Sequence, residues 1–147
     1  MGLISPADQQ HLREDFGKLT RPVRLVFFTQ TLGCETCQLA RQVLDELPPL
    51  SEKIAIEEVN FVLEAEKAAQ YGIDRVPAIA VTYVDGEEQK DSRIRFLGTP
   101  AGYEFISLIR AVLLAGGGRP SDLSEAGRER LARVDRPTTM QVFTTPT

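Results

Sequence analysis

Two cysteines, Cys34 and Cys37, are the only sulfhydryl residues among the 147 of the chain. A cross-link between residues so close in sequence closes almost no loop, so it would add little stability as a structural disulfide. A redox couple is a better use of this spacing, because residues i and i+3 in a helical turn lie about 5–6 Å apart. We therefore predict that the two cysteines form a reversible dithiol–disulfide pair.

The segments on either side of the pair predict how it is positioned. Residues 23–28 are an apolar run typical of a buried strand, and residues 35–47 carry apolar side chains at helical spacing. Cys34 then lies at the start of the helix, where unpaired N–H groups and the helix dipole favour a thiolate. We expect Cys34 to be the exposed attacking thiolate and Cys37, one turn inside, to be the more buried resolving thiol.

The two residues between the cysteines, Glu35 and Thr36, are expected to modulate the couple. An acidic side chain in the first helical turn suits the helix dipole, but it also places a negative charge beside the Cys34 thiolate. That charge raises the pKa of the thiol and predicts a less oxidising couple than a neutral dipeptide would give. The alternative is that Glu35 is only a solvated surface side chain.

The remaining pattern predicts an α/β fold. From residue 23 the order is β-α-β-α-β-β-α, and a further helix over residues 8–19 precedes it. Strands that alternate with helices favour parallel pairing, and Asp85-Gly86 predicts a hairpin that adds an antiparallel edge. We expect a mixed central sheet with helices on both faces and an extra N-terminal helix.

Three consecutive glycines at 116–118 predict the end of one unit, residues 1–118. Beyond it, residues 119–147 contain a predicted linker helix over 123–134 and an apolar stretch over 140–143 that we interpret as a first strand. A shift of 115 residues superposes similar pairs, Arg21-Pro22 on Arg136-Pro137 and Phe28-Thr29 on Phe143-Thr144. Such an internal repeat predicts that a truncated second unit of the same kind begins here.

Composition narrows the classes of function. The net charge of −4 does not favour binding to nucleic acid. No apolar run reaches the roughly 18 residues that a membrane-spanning helix needs. The N-terminus lacks the pattern of a secretory signal, which predicts a cytoplasmic protein. Zinc usually takes four ligands, and the only histidine is His11, so a metal site would have to form across a dimer. That arrangement and a chemically inert pair of cysteines stay open as alternatives.

The motifs resemble those of thioredoxin-like proteins, in which a C-x-x-C follows the first strand and a cis-proline precedes the third strand. The corresponding residues here are Cys34, Cys37 and Pro77. On general grounds only about 5–6% of X-Pro bonds are cis, but the resemblance implies a cis bond between Val76 and Pro77. It also implies that these two residues form the wall of a substrate groove, where the Val76 backbone pairs with an extended peptide.

The chain more closely resembles the protein disulfide oxidoreductases of thermophiles, also called glutaredoxin-like proteins, which join two thioredoxin-fold units. The resemblance rests on the opening residues 1–5 and on the segments 73–78 and 96–105, with 144–147 similar to the lead-in to a second C-x-x-C. It implies protein thiols and disulfides as substrates and no cofactor beyond the cysteine pair. The Glu-Thr dipeptide departs from the Pro-Tyr of glutaredoxins and the Gly-Pro of thioredoxins.

Three other functions remain open at the level of sequence. One is an electron relay, as in the tandem module of peroxiredoxin reductases, with a thioredoxin-reductase-like flavoprotein as partner. Another is a non-catalytic half that supports an active second unit. The last is glutathione-dependent chemistry, for which no pocket can be derived from the residues.

Replacing Glu35 with Gln is expected to lower the pKa of the Cys34 thiol, because it removes a negative charge next to the thiolate. The measurement is a pH titration of thiolate absorbance in the reduced protein. Glu46→Gln is the control, because it removes a carboxylate near the other end of the predicted helix, away from Cys34. An unchanged Cys34 titration in the Glu35 variant would show that this charge is fully solvated.

Overall fold

The computed structural model describes residues 2–145. Within that range the chain forms four strands and five helices, together with a 3₁₀ turn after the second helix. Their bounds are α1 Pro6–Phe16, β1 Val23–Thr29, α2 Cys37–Asp45, the 3₁₀ turn Pro48–Leu50, β2 Ile54–Asn60, α3 Ala65–Gln70, β3 Ala78–Asp85, β4 Glu88–Leu97, α4 Tyr103–Ala115 and α5 Glu125–Ala132. No helix in this range is long and apolar enough to cross a bilayer.

The strands form one mixed sheet, as predicted, and their order in it is β2-β1-β3-β4. β1 pairs with β2 in parallel, whereas β3 runs antiparallel to both β1 and β4. The expectation of parallel pairing is therefore wrong for β3. The six residues of α3 span about 9 Å at 1.5 Å per residue, whereas a seven-residue strand spans about 23 Å. A helix this short does not carry the chain back across the sheet, so β3 begins at the edge where β2 ends.

Helices cover both faces of the sheet, which confirms the predicted layers. One face of β1, formed by Val23, Leu25 and Phe27, packs in a cluster with buried side chains of α1, α2 and α4. The other face, formed by Val26 and Phe28, packs with buried side chains of β2, α3 and β3. Because side chains alternate across a strand, the apolar run in β1 fills both layers. The predicted extra N-terminal helix is α1, whose N-cap is Ser5.

The second helix begins later than predicted. Its first residue is Cys37, with Thr36 as the backbone N-cap, so Cys34 and Glu35 lie outside the helix and not in its first turn. The chain leaves β1 through a turn in which Gly33 has φ = +73°. This left-handed conformation is not part of an α-helix, and residues 34–36, which follow it, are not helical either.

The segment after the glycines is only partly as predicted. The linker helix exists as α5, but it is shorter than the predicted 123–134 and buries none of its residues. Residues 140–143 form no strand in the described part of the chain, and Phe143 is 91% exposed. A strand is stabilised by pairing with a neighbour, and this stretch pairs with none of the four strands described. Residues 140–143 are thus not a strand in the described structure, and the second unit, with its first strand, stays a prediction.

Truncating Leu44 to Ala is expected to lower the free energy of unfolding by about 2–5 kcal/mol, because it leaves a cavity between α2 and the sheet. Leu44 is fully buried, whereas Leu39 on the same helix is 44% exposed. Leu39→Ala is thus the matched control and is expected to cost much less. Urea denaturation of both variants makes the comparison, and equal losses would contradict the packing described here.

Candidate active site

Four loops meet at one edge of the sheet. Thr29 at the end of β1 pairs with Asn60 at the end of β2. The first residue of β3, Ala78, pairs with Phe28 on one side and with Leu97 at the end of β4 on the other. The segments 30–36, 61–64, 71–77 and 98–102 therefore all leave or enter the sheet at this edge. Backbone pairing thus places the C-x-x-C and the proline segment at the same edge of the sheet.

Cys34 and Cys37 are joined by a disulfide, and their Cα atoms are 5.5 Å apart. Cys37 is only 5% exposed, because it lies on the face of α2 that packs on the sheet. Cys34 lies in the loop before the helix and is half-buried. The pair therefore presents two unequal sulfurs, with the first more accessible than the second.

The peptide bond between Val76 and Pro77 is cis, as the resemblance implies. Pro77 is buried and Val76 is half-buried. Both residues precede Ala78, the first paired residue of β3, so they lie outside the ladder at the edge described above. The Pro77 carbonyl accepts a hydrogen bond from the backbone N–H of Gly98 at 2.8 Å. This contact fixes the proline segment to the loop after β4.

A residue that the sequence analysis did not single out joins the same loop to the cysteines. The hydroxyl of Thr99 donates a hydrogen bond to the carbonyl of Thr36 at 3.2 Å. Thr36, predicted to modulate the couple, thus makes its contact through its backbone, and its side chain makes no capping bond to the helix. The only sequence signal was that Thr99 falls in the segment 96–105 on which the family resemblance rests.

Charged side chains surround the site. Glu35 is exposed; outside the helix it gains less from the helix dipole, while its charge still lies next to Cys34. Asp74 and Arg75, just before Val76, form two hydrogen bonds of 2.8 and 3.1 Å. The bond from Arg75 lowers the pKa of Asp74. The pairing largely neutralises the charge at this border of the site.

One further carboxyl group, that of Glu104, lies in the first turn of α4. Partial burial raises the pKa of Glu104 above its ordinary value. No group of three or more metal-ligating side chains occurs among residues 2–145. The two cysteine sulfurs at this edge, those of Cys34 and Cys37, are bonded to each other.

Comparisons with known proteins agree with this geometry. No protein-family model matches the chain. A probable thioredoxin of Methanothermobacter thermautotrophicus is 34% identical over 77 residues, which are 52% of this chain and 80% of that protein. A probable thioredoxin of Methanothermobacter marburgensis is 33% identical over 88 residues, 59% of this chain and 92% of that protein. The chain belongs to the thioredoxin family, whose members exchange thiols and disulfides through their own cysteines.

Among solved structures, the chain is similar to the N-terminal domain of the alkylhydroperoxide reductase AhpF from Enterococcus faecalis. The TM-score is 0.72 at 30% identity, over 84% of this chain and 57% of that one. A protein disulfide oxidoreductase from Aeropyrum pernix gives a TM-score of 0.69 at 24% identity, over 88% and 54%; this likeness supports the fold alone. The chain thus spans a little over half the length of each of these solved chains.

Proposed function

We propose that the chain is a thiol–disulfide oxidoreductase that acts on protein substrates, with Cys34 as the attacking and Cys37 as the resolving residue. The observation that carries the proposal is the unequal burial of two bonded cysteines at an edge where four loops meet. Cys34 is partly exposed to solvent, whereas Cys37 is shielded by α2 and the sheet. Attack and resolution need this asymmetry.

The proposed reaction transfers two electrons in two exchanges. The Cys34 thiolate attacks one sulfur of a substrate disulfide, which forms a mixed disulfide and releases one substrate thiolate that takes up a proton. Cys37 then gives its proton to solvent and attacks the Cys34 sulfur, which closes the disulfide and releases the second substrate thiolate, and this thiolate takes up a proton. The chain is oxidised and the substrate is reduced; a dithiol reductant reverses the change in the chain.

Val76 and Pro77 are proposed to form one wall of the substrate groove. They lie unpaired with the sheet just before Ala78, at the edge that carries Cys34. A peptide that extends along Val76 could add backbone hydrogen bonds there in the manner of a strand. Glu35 and Thr36 are proposed to tune the couple, Glu35 through its charge and Thr36 through its anchored carbonyl.

A second candidate function is an electron relay. The specific support is the 30% identity to the N-terminal domain of the Enterococcus faecalis alkylhydroperoxide reductase, over 84% of this chain. In this role a thioredoxin-reductase-like flavoprotein would reduce the Cys34–Cys37 disulfide, and the dithiol would pass both electrons on. The same cysteines and the same exchange steps serve both functions.

The two-unit organisation is also part of the proposal. Its support is the repeat with a shift of 115 residues, together with the likeness to solved chains of which this chain spans a little over half. Residues 1–118 would then be one thioredoxin-fold unit and residues 119–147 the lead-in to another. The insulin experiment below decides whether this unit is itself active or only supports its neighbour. We propose the cytoplasm as the location of the protein.

Insulin reduction by dithiothreitol tests the function. We expect the unaltered chain to accelerate it and Cys34→Ser to react at the rate of dithiothreitol alone, because the attacking sulfur is gone. Cys37→Ser is the matched variant: it also lacks the disulfide, yet it keeps Cys34 and is expected to accumulate a mixed disulfide visible by mass spectrometry. No acceleration by the unaltered chain would favour the supporting role over the enzyme.

A further inference from the structure

We propose that Thr99 is a positioning residue for the Cys34–Cys37 couple, holding the loop so that the disulfide closes readily. The inference rests on the proposed function, since it assigns a role within the same site. In the described part of the chain the Thr99 hydroxyl is bonded to the Thr36 carbonyl and not to either sulfur. It acts on the loop that carries them, through one hydroxyl and one carbonyl.

The contact is made at the start of α2. The Thr99 hydroxyl donates to the Thr36 carbonyl at 3.2 Å, and the same oxygen accepts the helical bond from the Ala40 N–H at 3.0 Å. We find no other hydrogen bond between residues 33–37 and a different element within the described part of the chain. This one hydrogen bond therefore joins residues 33–37, the cysteine loop, to the rest of the site.

The backbone that carries the hydroxyl is itself constrained. Gly98 has φ = +111°, a conformation open mainly to glycine, and its N–H is bonded to the Pro77 carbonyl at 2.8 Å. Pro100 restricts the backbone of Thr99 to extended conformations. The Thr99 carbonyl accepts a bond from the Ala101 N–H at 2.9 Å. The Gly98-Thr99 corner thus connects the cis-proline segment and the cysteine loop through fixed backbone.

Both the disulfide and the Thr99 bond restrict the same few residues of the loop. Two constraints on one segment assist each other, because each lowers the conformational entropy that the other must remove. The assistance is reciprocal: if closing the disulfide strengthens the hydrogen bond, the hydrogen bond favours closing the disulfide to the same extent. Without the hydroxyl, the dithiol loop samples more conformations, and Cys37 meets the Cys34 sulfur less often.

The test uses two substitutions of similar shape. Thr99→Val removes the hydroxyl and nearly keeps the volume, whereas Thr99→Ser keeps the hydroxyl. The measured quantity is the equilibrium constant for dithiol plus oxidised glutathione giving the disulfide plus two reduced glutathiones, read by alkylation and mass spectrometry. We expect Thr99→Val to lower it roughly twofold to tenfold, a range set by the net worth of one neutral hydrogen bond. Thr99→Ser is expected to restore the value of the unaltered chain.

A matched control removes the same kind of bond far from the cysteines. The Thr20 hydroxyl donates to the Gly116 carbonyl, also at 3.2 Å, and Thr20 lies before β1 at the opposite end of that strand. Thr20→Val is expected to lower the free energy of unfolding and to leave the glutathione equilibrium unchanged. If Thr99→Val does not fold, Thr99→Ala removes the hydroxyl without adding a second methyl group and is expected to show the same shift.

Two results would overturn the inference: an equilibrium constant in Thr99→Val or Thr99→Ala equal to that of the unaltered chain, or an equal shift in Thr20→Val. The equilibrium requires no protein substrate, so it is independent of the insulin assay. A shift in a chain that does not reduce insulin would keep the role of Thr99 and remove the proposed function. If the chain reduces insulin but the glutathione equilibrium constant of Thr99→Val is unchanged, the proposed function stands and the role of Thr99 is removed.

Discussion

The burial of β1 on both faces is the constraint on which the rest of the structure depends. Leu25, Val26, Phe27 and Phe28 are all inaccessible to solvent, and they contribute alternately to the two apolar clusters. A strand held between two layers, and paired on both sides by β2 and β3, has a fixed end. Cys34 follows that end by five residues, so the position of the site depends on a strand that is buried on both faces.

The unequal character of the two cysteines follows from the same packing. Cys37, Ala40 and Leu44 recur at helical spacing on the buried face of α2. Cys37 is buried because it belongs to this apolar stripe, whereas Cys34 precedes the helix in a turn that faces solvent more. One helix start thus gives a shielded and an accessible sulfur from a spacing of three residues. The proposed division between attack and resolution is therefore a consequence of amphipathic packing.

Local patterns predicted most of the elements because their signals are local. The strand β1 follows from an apolar run, α4 from helical periodicity, and the β3–β4 hairpin from Asp85-Gly86. The start of α2 was predicted two residues early, since apolar spacing does not show that the helical hydrogen bonds begin only at the Thr36 carbonyl. The direction of β3 was also wrong, because pairing depends on where a short connection returns the chain.

The residues of the candidate site also differ in how far the sequence predicted them. The cysteine pair is evident from spacing and context, whereas Pro77 entered through resemblance to known proteins. Thr99 was missed because its partner Thr36 is 63 positions away in the sequence, and a threonine hydroxyl that binds a distant carbonyl leaves no pattern. The stretch 140–143 was assigned to a strand from its apolar character and from the match of Phe28-Thr29 to Phe143-Thr144. Strand formation also depends on a pairing partner, which a local pattern does not show.

The most direct test of the central claim is a redox titration of the unaltered chain against a series of glutathione mixtures, with alkylation of free thiols at each point. The account predicts one reversible transition in which Cys34 and Cys37 lose or regain their thiols together, within a monomer and with the two-electron dependence of an intramolecular disulfide. Thiols that titrate independently of each other, or a disulfide that forms only between chains, would contradict it.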